Sequence, residues 1–196
     1  MKGARFLGQA PGLLWLDTHA DSNTPETTLT GNWHGMPLAH LLGYGDQSLL
    51  DLIADGQVAL DRVALVGLRD VDKAEATFLR EMRITAYTMR DIDELGLRQV
   101  MTLALDKVSL GNKEPYHVSL DLDWVDPAEA PGVGTPVQGG ASYREAHLAM
   151  EMIAEQGGLI GLDVVEVNPL LDRENKTALL AVELVASVLG KKILSE

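Results

Sequence analysis

The 196-residue chain is 46% apolar, enough for one domain with a sizeable core, and no apolar run approaches the ~20 residues of a membrane span. A formal net charge of −13 argues against a nucleic-acid or anionic-membrane surface and favours a cation as partner. Cysteine is absent, which excludes disulfides, thiolate catalysis and Cys-ligated zinc. With no signal-like apolar leader, the expected compartment is the cytoplasm.

Strand-like and helix-like patterns alternate along the chain. A continuous apolar run at 12–16 is followed by a helical pattern over 36–54. A second run at 63–67 leads to a helix over 72–82. A third at 84–87 precedes a helix over 90–109. A fourth, 117–120, precedes a helix over 142–157, which Ser142 and Glu145 open as a capping box. The fifth, 159–162 running into Val164 and Val165, is followed by a helix over 174–190. Strands apolar on both faces belong in a sheet covered on both sides. The alternation predicts a single α/β domain over residues 1–196, a doubly wound and mostly parallel sheet.

In such sheets ligands sit beyond the carboxyl ends of the strands, and here those ends are crowded with acids. Asp17 follows the first strand, Asp121 the fourth, and Asp163 with Glu166 the fifth, while Arg69, Asp70 and Asp72 follow the second. Extended backbone alternates its side chains, so Asp17, His19 and Asp21 are expected on one side, and Asp121 and Asp123 likewise. Four clustered carboxylates cannot all ionise unless a cation joins them. Carboxylates mixed with one imidazole suit Mn²⁺, Fe²⁺ or Zn²⁺, and the oxygen-rich set favours Mn²⁺. Plainer readings stand beside this one. Both acidic motifs are also ordinary turn acids, and Asp72 and Glu75 sit where a helix dipole favours acids. His34 fits a loop histidine and Glu166 a solvated acid. The segment from Gly132 to Gly140 lacks the Lys of a phosphate loop and reads as a turn. His40, His117 and His147 have no ligand-spaced partners and read as helix-surface or strand residues.

Four blocks in order carry a resemblance: 17–38 (from Asp17-Thr18-His19-Ala20-Asp21-Ser22-Asn23 to Leu38), 119–127 (Ser119-Leu120-Asp121-Leu122-Asp123 onward), 132–145 and 162–169. Together they resemble the arginases of bacterial type within the ureohydrolases, over essentially the whole chain. The resemblance implies a three-layer fold and manganese-dependent hydrolysis of L-arginine to L-ornithine and urea, by a hydroxide between two Mn²⁺ ions. It implies Asp17 and Asp121 as bridging ligands, Asp21 on the first ion, and His19 and Asp123 on the second. Catalytic roles fall to His34 as proton shuttle, Glu166 facing the guanidinium, and Asp21 beside the nucleophile. Asn23 and Thr30 would meet the substrate α-carboxylate, Asp72 with Glu75 its α-amino group, and Thr135 would line the pocket. Thr30 stands where serine is usual.

The resemblance further implies a small-molecule substrate, a homo-oligomer, and neither nucleic acid nor membrane as partner. It also implies that the chain lacks the family's N-terminal portion, with its strands and the Gly-Gly-Asp-His motif whose His completes the first metal site. The strand at 159–165 is then expected at a sheet edge. Two other readings stay open: an agmatinase-type ureohydrolase, and an inactive metal-binding remnant or interaction subunit.

Overall fold

The computed structural model of the chain describes residues 10–53, 58–192 and 194. Five strands, β1 (Gly12–Leu16), β2 (Val63–Leu68), β3 (Thr85–Thr88), β4 (Tyr116–Asp121) and β5 (Leu159–Val165), form one sheet in the order β3-β2-β1-β4-β5. Every pairing is parallel, with Leu16 of β1 opposite Val66 on one side and Leu120 on the other. The chain winds outward from β1 to β3 in one direction, then crosses back to place β4 and β5 on the other. A crevice therefore opens between the carboxyl ends of β1 and β4, the switch point where open α/β sheets bind ligands.

Among the described residues seven helices accompany the strands, the last of them after β5: α1 (Pro37–Leu41), α2 (Gln47–Ile53), α3 (Lys73–Glu81), α4 (Met89–Leu95), α5 (Leu97–Ser109), α6 (Tyr143–Gln156) and α7 (Lys176–Val188). Leu14, Leu16, Val66, Val118 and Leu120 point to one face, where Met101, Val108, Met150, Ile153 and Leu184 of α5, α6 and α7 cover them. Their neighbours Leu13, Trp15, Val63 and Leu65 point to the other, against Leu38 of α1 and Leu79 of α3. Period-two alternation in the strands thus feeds two cores, giving the expected three layers.

Two predicted helices are broken. The 36–54 pattern splits into α1 and α2 because Gly43 and Gly45 take positive φ between them, and its last residue lies outside the described residues. The 90–109 pattern splits at Gly96 (φ 82°, ψ 144°), which ends α4 and starts α5. The capping box at Ser142 is formed, and Asp72 and Thr88 make the same motif for α3 and α4. Burial on both faces holds for β1 and β2, but β3 and β5 are only partly covered. Among the described residues β5 is an edge strand, as expected, with Ile160 and Val165 exposed.

At the amino end of the sheet the buried Arg62 guanidinium donates to the carbonyls of Ala10, Val108 and Pro115, tying the entries of β1 and β4 to the end of α5. At the carboxyl end a bulge at Gly67 interrupts the β2–β3 register. Gly67 has φ +100°, and a Cβ there would lie 2.0 Å from Nε1 of buried Trp124. Gly67→Ala is therefore expected to destabilise the fold by more than about 1 kcal/mol, since backbone strain and steric overlap add. Urea denaturation checks this, and an unchanged midpoint would contradict it.

Candidate metal centre

Asp17 follows β1 directly and is buried. Its carboxylate is fixed twice: the Trp15 indole N–H donates to Oδ2 at 2.9 Å, and the His19 backbone N–H to Oδ1 at 2.7 Å. Asp123 arrives differently from the expected alternation. Residues Leu122–Trp124 form a 3₁₀ turn capped by Asp121, whose Oδ1 accepts from the Asp123 N–H at 2.8 Å. That turn swings Asp123 towards β1, where the Thr18 N–H donates to Oδ1 at 3.3 Å and the Thr18 hydroxyl to its carbonyl at 2.7 Å. Thr135 donates to Asp123 Oδ2 at 3.0 Å from the loop before α6.

These contacts bring His19 Nδ1 to 3.1 Å from Asp123 Oδ2 and 3.5 Å from Asp17 Oδ1. One ligand atom from each of Asp17, His19 and Asp123 lies within 4.8 Å of the others, a cluster that could hold a metal ion. Asp21 and Asp121 border it rather than complete it. Asp21 leaves the extended path in a left-handed conformation (φ 49°), and its carboxylate turns to a neighbouring cavity.

The electrostatics are those of a site built for positive charge. Burial, reinforced by the charge of Asp17, pushes the Asp21 carboxyl up to about 9 and that of Asp121 to about 10. Burial, only partly offset by the hydrogen bonds with His19, raises Asp17 to about 6. Burial alone would depress the His19 imidazole, but its contacts with Asp123 and Asp17 prevail and lift it to about 11. Asp123 is buried too, yet its bonds with His19 hold it below the usual carboxylate range. Protons on His19, Asp21 and Asp121 thus balance the charge, and a divalent cation fits because it replaces them with one compact charge.

Two cavities border this region, the smaller touching the cluster at His19 and the larger reaching it only through Asp21 and Asp121. The larger, about 580 Å³, is walled by Trp15, Trp33, His34, Asp21, Asp121 and Glu166. The smaller, about 270 Å³, is lined by His19, Asn23, Thr30, Asp72, Glu75 and Thr135 among others. Asp21 and His34 border both, so the expected catalytic and substrate residues converge on one region, Glu166 from the side opposite Asn23 and Asp72. Glu166 follows β5 with φ +65°, an uncommon conformation for a non-glycine residue, whereas Asp163 lies within the strand and not after it.

Asp72 serves two purposes. Its Oδ1 accepts from the Ala74 and Glu75 N–H groups as the cap of α3, while Oδ2 accepts from the Asn23 amide at 2.8 Å. Glu75 returns the capping box to the Asp72 N–H and accepts from the Ser22 N–H, so the helix-cap and site-lining readings both hold. Thr30 is exposed, and its hydroxyl accepts from the Asn32 N–H at 3.2 Å. The sequence reading missed Trp15 and Thr18. The former is legible as a strand neighbour of Asp17; the bond from Thr18 crosses to another strand and left no local signal.

The reading of the other histidines needs correction for His40 and His147, which are buried. His40 spends Nδ1 on the Met36 carbonyl and Nε2 on the Asp46 N–H, leaving no nitrogen for a metal. His147 packs between α6 and α7 with Nδ1 at 2.9 Å from the Ser187 hydroxyl. His117 is a strand residue as read, paired with Asp163 at 2.8 Å.

A profile described as the arginase family matches residues 2–190. The chain is 49% identical over 184 residues to the arginase of Bacillus subtilis strain 168 and 47% identical over 186 residues to that of Bacillus caldovelox. Both alignments take in 93% of this chain but only 62% and 61% of the relatives, so the chain spans about six-tenths of their length. The solved structure of the Bacillus caldovelox arginase superposes with a TM-score of 0.91 at 45% identity, covering 95% of this chain and 62% of that one. A structure titled a hypothetical agmatinase, from Burkholderia thailandensis, gives 0.71 at 26% identity, covering 95% and 52%.

The raised groups carry a sign. His19, Asp21 and Asp121 hold their protons more tightly folded than unfolded, so their stabilisation is full in acid. It fades as pH climbs, from about 4 for the carboxyls and 6.5 for the imidazole, toward 9 to 11. Bound metal removes that loss, because its ligands must be deprotonated. The gap in thermal midpoint between Mn²⁺-loaded and chelator-treated protein is expected to widen from pH 6.5 to 9. A gap that stays flat or shrinks would contradict the charge balance.

Proposed function

This chain belongs to the arginase family, and from that premise we propose that it is a manganese-dependent hydrolase of L-arginine, releasing L-ornithine and urea. The observation that carries the reading is the buried Asp17–His19–Asp123 cluster, with Asp21 and Asp121 beside it, at the mouth of cavities lined by Glu166 and His34.

In this reading His19 and Asp123 would hold one Mn²⁺ and Asp21 another, with Asp17 and Asp121 available as ligands to both. When bound, the ions supply an acidified water as nucleophile. The protein's own groups do the rest. Glu166 accepts the planar guanidinium through paired N–H donors, which the geometry of a carboxylate matches. Asp21 takes a hydrogen bond from the attacking water and orients it towards the guanidinium carbon. His34, on the exposed turn Trp33–Gly35 that borders both cavities, would pass a proton to the departing amine. Imidazole suits the task because its ring nitrogens can both take up and give off a proton.

Specificity rests on the smaller cavity. Asn23 and Thr30 offer neutral donors to the α-carboxylate, and Asp72 a charge to the α-ammonium. Glu75 steadies Asp72 through the capping box, and Thr135 holds Asp123 while lining the wall. The reading carries with it a small-molecule substrate, a cytoplasmic setting and a homo-oligomer. The exposed apolar side chains Leu179, Val182 and Leu189 along and after α7 support self-association. No helix among the described residues is long and apolar enough to cross a membrane.

Mn²⁺-dependent urea release from L-arginine, run beside agmatine, tests this directly. L-Arginine is expected to be much the better substrate, because agmatine leaves the donors built for a carboxylate unpaired. Faster turnover of agmatine would move the chain to the agmatinase reading. Metal binding without urea from either compound would leave the inactive metal-binding reading standing.

Asp72→Asn separates the two duties of that residue. Asparagine caps a helix as well as aspartate does, so the cap on α3 should hold, although the bond that Oδ2 accepts from the Asn23 amide is given up. The charge facing the α-ammonium is lost, and KM for L-arginine is expected to rise roughly tenfold or more. An unchanged KM would remove Asp72 from the substrate set.

A further inference from the structure

Two arginines grip main-chain carbonyls at opposite ends of the sheet. Arg62 does so at the amino end, far from the metal centre. Arg69, just after β2, does so at the carboxyl end. Its Nη2 donates to the carbonyls of Asp123 and Val137, each at 2.7 Å. Nε reaches Val137 and Nη1 reaches Trp124, both at 3.2 Å. The Arg69 backbone N–H donates to the Thr18 carbonyl at 3.0 Å. Arg69 makes no ion pair among the described residues, despite the acids around it. Gly140 leaves space for this whole junction, for a Cβ there would lie 2.7 Å from Nη2 and from the Trp124 carbonyl oxygen, and 2.6 Å from the Asp126 backbone nitrogen.

One residue therefore knits three segments: its backbone N–H holds the turn after β1 that carries His19, and its side chain joins the 3₁₀ turn that carries Asp123 to the loop that carries Thr135. The Asp123 carboxylate is held from those same segments, by Thr18 and Thr135. A guanidinium suits this work because its donors lie in one plane at fixed angles. An ammonium is a single point that cannot span the same carbonyls.

We propose that Arg69 is a positioning residue of the metal centre, acting through Asp123: its fork fixes the ligand turn against the Thr135 loop, so that the carboxylate meets the cation already oriented. This rests on the metal-centre reading above. Residues that orient a metal ligand typically govern affinity by roughly 10–100-fold.

The test compares R69K, R62K and the parent chain in calorimetric Mn²⁺ titrations, with thermal unfolding of each protein free of metal. R69K is expected to bind Mn²⁺ roughly 10–100-fold more weakly, with a changed Mn²⁺ EPR line shape. R62K is expected to lower the thermal midpoint and leave the affinity unchanged. G140A, whose Cβ would crowd the Arg69 guanidinium together with the Trp124 carbonyl it binds and the Asp126 N–H, is expected to weaken binding in the same direction as R69K. Parental affinity in both R69K and G140A overturns the proposal, as does an equal loss in R62K, which would mean that loosening the sheet anywhere suffices. A parent chain that takes up no Mn²⁺ overturns the metal centre itself and the role of Arg69 with it.

Discussion

Mutual repulsion among buried carboxylates is the constraint around which this end of the molecule is arranged. Asp17, Asp121 and Asp123 are almost wholly removed from water, and Asp21 is close beside them. Such a group is unstable as a set of bare anions, and hydrogen bonds from Trp15, Thr18 and Thr135 meet only part of the demand. Positive charge must arrive as protons or as metal. The doubly wound sheet makes that crowding affordable elsewhere, because its two apolar cores carry the folding energy independently of the site.

Reaching this geometry requires backbone that regular strands do not supply. Asp21 and Glu166 adopt left-handed conformations, Asp123 sits on a 3₁₀ turn, and Gly67 bulges β2 so that Trp124 can pack beneath. These departures gather at the carboxyl edge of the sheet and are absent from β1 and β4 themselves. Strain held at a site while the scaffold stays regular is the usual division of labour in α/β enzymes.

The sheet and the acidic residues at its carboxyl edge were legible because they depend on local pattern. Apolar runs marked each strand, and the acids at their ends marked the functional edge. The breaks at Gly43, Gly45 and Gly96 were missed because glycine within a helical pattern also occurs inside helices, and only φ distinguishes the two. The burial of His40 and His147 was missed because it depends on which helix packs over which. Asp123 reaches the cluster by a route other than the expected alternation, on a turn capped by Asp121, and Asp121 itself stays beside the cluster. Thr18 and Arg69 act on residues distant in sequence, and a single sequence gives no local sign of such bonds. The roles of His34, Glu166 and the substrate-contacting residues came from resemblance rather than pattern; their convergence on adjoining cavities supports that assignment.

The bond between Thr18 and Asp123 joins residues 105 positions apart. Parallel pairing of β1 with β4 must close that whole span before the two halves of the cluster can meet. Loop closure over such distances is slow compared with helix formation. During synthesis, Asp17, His19 and Asp21 leave the ribosome long before Asp121 exists. They then offer only a partial ligand set, and a captured ion could not yet guide the chain. A metal ion held by this cluster would therefore load late, gated by completion of the sheet. Where metal is scarce, the species expected to accumulate is a finished fold rather than an arrested intermediate.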